Sequence, residues 1–208
     1  LTTTLAQTPH PKKPKKKKQS LRAVADAVAP YGADALFYLA AAVSDFYVPW
    51  SRLAEHKIQS GGRDDSKKGG GAAFTLRLAR VPKCLGTLRE QWAPRAAVVS
   101  FKLETDEKIL MDKAGGALDK YKVHAVVANL LHTRKDRVWV VRRKEGEEVA
   151  GGGEGAGGGK AASSSLDVAV IDRPPEMVFI EDALVANVVA LHDRLRAEAA
   201  AAAEKGQA

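Results

Sequence analysis

The sequence predicts an α/β fold: a mostly parallel sheet covered by helices, ending in a C-terminal β-hairpin. Three observations carry this. Short apolar runs recur at Ala35–Val43, Ala96–Phe101 and His124–Asn129. Each is too short for a membrane span and suits a strand buried on both faces, as in a helix-covered parallel sheet. Helical patterns separate these runs. Two valine-rich runs, Val138–Val141 and Val168–Ile171, then flank a stretch of Gly, Ala and Ser, as a hairpin with an insertion would.

The elements follow in order. Residues 1–19 read as a disordered basic segment, and one α/β domain occupies residues 20–199. Leu21, Val24, Ala25 and Val28 fall on one helical face, with Ser20 placed to cap the start and Pro30 and Gly32 to end it. Ala35–Val43 is the first strand. Ser51–Gly71 is polar and Gly-rich, a long loop or flap. Phe74, Leu76 and Leu78 alternate as a strand, and Pro82 opens a short helix to about Trp92. After the strand at Ala96–Phe101, Asp106 caps a helix to about Tyr121, and the strand at His124–Asn129 follows. Residues 145–165 lack the apolar side chains to pack a core and are expected to be a disordered insertion. A last helix runs from Asp182 to Ala199, with residues 200–208 a frayed tail.

At 208 residues the chain is long enough for one domain with a substantial core. It opens on Leu1-Thr2-Thr3-Thr4, with neither an initiator Met nor a signal-peptide core, and so reads as cut or internal. A single cysteine, Cys84, excludes an intramolecular disulfide and points to a reducing compartment, the cytoplasm. The net charge is +8, but six lysines lie in one run (Lys12, Lys13 and Lys15 to Lys18), and the rest carries +2. Pro11 and Pro14 break the run and no aromatic interleaves it, so it reads as a solvated linker without specific nucleic-acid binding. No membrane partner is expected. The five histidines are scattered, without H-E-x-x-H or paired cysteines, so no metal site is assigned.

Four segments carry candidate chemistry, three of them at strand ends, where open α/β sheets bind ligands. In Ala40–Phe46, small residues admit a ligand to the backbone and Asp45 can accept hydrogen bonds, though it can equally cap the next turn. In Glu55–Gln59, Lys57 on a mobile loop can close over a phosphate, or simply lie solvated. In Ser100–Asp106, Phe101 can lie against a base and Lys102 can meet phosphate; a core Phe is the commoner case. Asn129 ends an apolar strand with an amide, which can read a ligand or close an Asx turn. Lys113 and Lys120, seven apart on one helix, can line a phosphate site or form a solvated face. No Gly-rich phosphate loop opens a first βα unit, so that element is expected upstream of Leu1.

The wording and order of Phe37–Pro49, Glu55–Ser60, Val81-Pro82-Lys83, Trp92-Ala93-Pro94, Ser100–Asp106 and Val127-Ala128-Asn129 resemble the carboxy-terminal portion of eukaryotic-type phosphopantothenate–cysteine ligases (phosphopantothenoylcysteine synthetases). The resemblance covers about Leu21–Val141 and, more loosely, Val168–Leu195. It implies a Rossmann-like three-layer subunit with its N-terminal part missing, a homodimer, and ligation of 4′-phosphopantothenate to cysteine in coenzyme A synthesis. The implied route passes through an acyl-nucleotidylate made from ATP or CTP with Mg²⁺. Carried over, Ala41, Ala42, Asp45, Phe101 and Asn129 are nucleotide contacts and Lys57 is the catalytic flap lysine. The family's amino-terminal half supplies the Gly-rich loop and an asparagine for the intermediate, and neither is found here. The alternatives are an inactive nucleotide-binding fragment, an NAD(P)-dependent Rossmann oxidoreductase, whose fingerprint is not found, and a basic polyanion-binding protein resting on the lysine run.

Overall fold

Valine-rich segments with small neighbours set the frame. The computed structural model describes residues 16–40, 44–53, 76–144 and 165–206. Two compact units are present, Leu1–Ala40 with Cys84–Ala208, and Ala41–Lys83. In the larger unit five strands form one sheet: β1 (Leu36–Leu39), β4 (Ala97–Glu104), β5 (Ala125–Leu130), β6 (Arg137–Arg143) and β7 (Leu166–Asp172), in that spatial order. β1, β4 and β5 are mutually parallel, β6 runs against them and β7 returns, so four of the five strands point one way. In the smaller unit β2 (Phe46–Tyr47) pairs antiparallel with β3 (Ala79–Arg80).

Helices cover both faces of the large sheet, giving three layers. One face packs against α1 (Lys16–Val28), α2 (Leu85–Thr87) with the π turn Leu88–Trp92, and α3 (Glu107–Tyr121), around Val98, Val126, Leu88, Leu110 and Ala114. The other packs against α4 (Glu181–Lys205) through Val99, Val127, Val140, Leu184 and Val188. β4 is buried on both faces over its first half, Ala97–Ser100, and β5 over most of its length, as their unbroken apolar runs require. α3 begins where the sequence places it: Asp106 accepts the Lys108 backbone N–H at 2.9 Å, and Leu110, Ala114 and Leu118 recur every four residues on its buried side. The hairpin also matches, with Val138 opposite Ile171 and Val141 opposite Val168. Among the described residues no helix is long and apolar enough to cross a membrane.

Several expectations need correction. β1 is four residues long, lies at the sheet edge among the described residues, and fully buries only Phe37; Leu39 on the same face and Leu36 and Tyr38 on the other pack against the two cores but are only partly buried. Residues 76–78 are not a strand, and Leu76 and Leu78 are exposed, with pairing confined to Ala79 and Arg80. Pro82 does not open the next helix. It disfavours a helical Val81, whose N–H instead donates to the Asp45 carbonyl at 2.9 Å, and the helix starts at Leu85. α1 starts at Lys16, so Ser20 lies inside it rather than capping it, and Val24 is 52% exposed while Ala25 is buried. α4 stays helical to Lys205 where a frayed tail was expected, because alanine is the strongest helix former. The expected insertion at 145–165 lies outside the described residues except Ser165, whose carbonyl accepts the Lys144 N–H at 3.1 Å.

Candidate active site at the strand ends

Side chains alternate between sheet faces along a strand, so Tyr38 of β1, Phe101 of β4 and Asn129 of β5 share the α4-covered face. Their register steps diagonally toward the carboxyl ends of the parallel strands: Tyr38 lies opposite Val99, Phe101 opposite Val127, and Asn129 opposite Leu103. Tyr38 and Phe101 meet edge to face, ring centroids 4.9 Å apart at 86°, a favoured aromatic geometry. Burial and then the negative Glu181, in the first turn of α4, hold the Tyr38 phenol above its ordinary pKa. The phenol therefore stays protonated and can donate.

Asn129 is half-buried, and its Oδ1 is shut from solvent with no hydrogen-bond donor among the described residues. Leaving such an acceptor unpaired costs on the order of 1–3 kcal/mol. A ligand that brings an N–H to this point removes that cost. Among the described residues Thr133 Oγ1, Arg142 Nε and Asn187 Oδ1 are likewise unpaired, but of these four only Asn129 lies near the carboxyl end of a parallel strand.

The predicted lysines are not gathered here. Lys102 alternates to the opposite face, where its Nζ lies 2.7 Å from Glu104 Oε1. Lys113 and Lys120 lie on the exposed side of α3, which runs from the carboxyl ends of the parallel strands back toward their starts. Seven residues put Lys120 about 10 Å further from that end than Lys113, and its Nζ sits 5.6 Å from the Tyr121 ring centroid. In the smaller unit the Asp45 carboxylate pairs with the Lys83 ammonium, and Ser44 Oγ donates to the Phe46 carbonyl at 2.7 Å. Ala41, Ala42 and Lys57 lie outside the described residues. Cys84 is half-buried at the start of α2.

Sequence reasoning assigned no role to Tyr38, Glu181 or the Lys83–Asp45 pair. Tyr38 sits inside an apolar run where no spacing marks it. Lys83 was legible only as part of the Val81-Pro82-Lys83 wording.

The family model of the DNA/pantothenate metabolism flavoprotein C-terminal domain matches residues 7–149, more than half of the chain. The chain belongs to this family. Among relatives of this flavoprotein C-terminal domain, phosphopantothenate–cysteine ligase 1 of Oryza sativa subsp. japonica is 54% identical over 127 residues, covering 61% of this chain and 37% of that protein. The ligase 1 of Arabidopsis thaliana is 56% identical over 118 residues, 57% of this chain and 34% of that one. The Homo sapiens ligase is 48% identical over 123 residues, 59% and 37%. The chain thus spans about a third of the length of the curated relatives it matches. Among solved structures, a histidine-to-alanine mutant of Cab2 superposes with a TM-score of 0.66 at 36% identity, over 86% of this chain and 50% of that one. The same mutant in complex with phosphopantothenate-cysteine gives 0.65 at the same identity and coverage. The open, helix-covered sheet of the flavoprotein C-terminal domain is therefore the Cab2 fold. Ala41, Ala42, Asp45, Lys57, Phe101 and Asn129 all fall inside the matched stretch, whereas Glu181 and α4 lie beyond it.

Proposed function

We propose that this chain forms the nucleotide-binding portion of a phosphopantothenate–cysteine ligase of coenzyme A synthesis. The observation that carries the reading is its 46–56% identity to proteins of that name. In the reaction, a carboxylate oxygen of 4′-phosphopantothenate attacks the α-phosphorus of ATP or CTP and pyrophosphate leaves. The cysteine amine then attacks the acyl carbon, loses a proton, and expels the nucleoside monophosphate as the amide forms. Mg²⁺ would travel with the triphosphate.

Phe101, braced by Tyr38, offers the base an aromatic wall. Asn129 Oδ1 supplies the acceptor that an exocyclic amino group needs. Adenine and cytosine both carry one, which suits either nucleotide. Lys57 would hold a phosphate oxygen as negative charge builds during attack, stabilising the transition state more than the bound substrate. The reading carries with it a cytoplasmic homodimer.

The test is pyrophosphate release from phosphopantothenate with ATP or CTP, cysteine omitted and then added. It is run on this chain and on a version extended to the full length of its relatives. Release in the extended protein, with amide formed only when cysteine is present, supports the reading. A folded extended protein that releases no pyrophosphate with either nucleotide refutes it.

A further inference from the structure

A second concave site lies in the larger unit at the opposite end of the sheet, where the 3₁₀ turn Ala29–Asp34 enters β1 and Arg95 leads into β4. It is a groove of about 590 Å³, with Tyr31 and Arg95 on one side and Ala199, Ala200 and Ala203 of α4 on the other. That volume is in the range of about 300–1,000 Å³ typical of small-molecule sites. A smaller pocket of about 160 Å³ adjoins it, and the two share Gly32 and Arg95.

The charges in this groove are unevenly paired. Arg196 is paired with Asp34 at 2.6 Å and lies 3.5 Å from Asp193. Arg95 makes no hydrogen bond or ion pair among the described residues, so both carboxylates here serve Arg196 and the Arg95 guanidinium has no direct partner. Its position is built in. Gly32 adopts φ 57° and ψ −121°, a backbone shape that only glycine takes readily, and a Cβ there would stand 2.8 Å from Arg95 Nη2. The guanidinium therefore lies against bare backbone at the boundary of the two cavities. Beside it the Tyr31 ring is 66% exposed, facing no core, and beyond the paired Arg196 the α4 wall presents the methyl groups of Ala199, Ala200 and Ala203.

We propose that this groove binds a small ligand with one anionic head, a carboxylate or a phosphate monoester, on an apolar body. Arg95 takes the head through its planar fork of donors. Tyr31 and the alanine face of α4 take the body. The site is at the amino ends of the strands, away from Phe101 and Asn129, and it does not depend on the ligase reading.

The test is calorimetric titration of the 208-residue chain with hexyl phosphate, hexanoate and inorganic phosphate. At least one of the two alkyl anions binds at one site per chain, and inorganic phosphate binds roughly tenfold more weakly because it leaves the apolar walls empty. Arg95→Gln weakens alkyl-anion binding by about tenfold. Ala203→Leu fills the groove without touching Arg95 and weakens it too. Both residues are exposed, and circular dichroism checks that the variants fold. Whichever alkyl anion binds more tightly identifies the head group. Failure of both to bind, affinity unchanged in Arg95→Gln, or inorganic phosphate binding as tightly as the alkyl anions overturns the proposal.

Discussion

Replacing His124 by asparagine isolates one buried titrating group. The His124 N–H donates to the Val98 carbonyl at 2.9 Å, and the Val98 N–H returns to His124 Nδ1 at 3.0 Å. The ring proton then sits on Nε2, which faces the Arg89 guanidinium 3.5 Å away. Arg89 is itself fixed by the Lys122 carbonyl at 3.1 Å and by the Pro94 carbonyl. A second ring proton would have to displace the Val98 hydrogen bond beside a like charge. Burial first, and then the charge of Arg89, hold the His124 pKa down from 6.5 to about 4, with His192 adding a smaller push. The folded state therefore resists the proton that the unfolded chain accepts. Its contribution is present above pH 6.5, declines as pH falls toward 4, and is gone below that. At about 1.4 kcal/mol per pH unit the loss by pH 4 is about 3 kcal/mol. Asparagine keeps an acceptor for the Val98 N–H and does not titrate. Urea unfolding between pH 7.5 and 4, followed by tryptophan fluorescence, should show the wild type losing about 3 kcal/mol more than His124→Asn over that range. Superimposable pH profiles would refute the reasoning.

Asn129→Leu removes an unpaired buried acceptor at nearly constant volume. It should leave urea stability unchanged or raised by about 1 kcal/mol while ATP or CTP binding weakens about tenfold; unchanged nucleotide affinity would remove Asn129 from the site. Asp106→Ala should cost about 1 kcal/mol in the same unfolding assay, the usual value of a lost N-cap, and no loss would mean the cap is idle. Leu110, fully buried under the sheet, should cost roughly 2–5 kcal/mol on replacement by alanine, seen as a lower urea midpoint. Lys57→Ala in the full-length protein should depress turnover far more than thermal stability; equal losses in both would leave the lysine a structural residue.

What the sequence made legible depended on whether local spacing carried the information. The runs at Ala96–Phe101 and His124–Asn129 became central strands because burial on both faces leaves an unbroken apolar signature. The start of α3 was readable because an aspartate ahead of an apolar stripe is a local signal. The run at Ala35–Val43 looked the same as the other two, yet β1 lies at the sheet edge, since the number of neighbours a strand has is not written in its own residues. Lys102 and Phe101 were grouped because they are adjacent, although adjacency in a strand puts side chains on opposite faces. Lys113 and Lys120 were grouped because they share a helix face, but the length of α3 separates them. The Tyr38–Phe101 contact and the Lys83–Asp45 pair join distant stretches. Spacing did not predict either one, and family wording preserved only the residues. His124 read as a lone histidine at a strand start, and its partner Arg89 is 35 residues away in the chain.

The β6–β7 hairpin stays in register from Arg137 opposite Asp172 to Arg143 opposite Leu166, and the Lys144 to Ser165 hydrogen bond at 3.1 Å closes it. The two strand ends are thus joined independently of whatever connects them. They sit at the sheet edge away from β1, at the end remote from Phe101 and Asn129. For protein engineering this is a natural place to open the chain: a short turn in place of residues 145–164, an affinity tag, or new termini made by circular permutation would each leave the strand pairing and the Phe101–Asn129 end as they are.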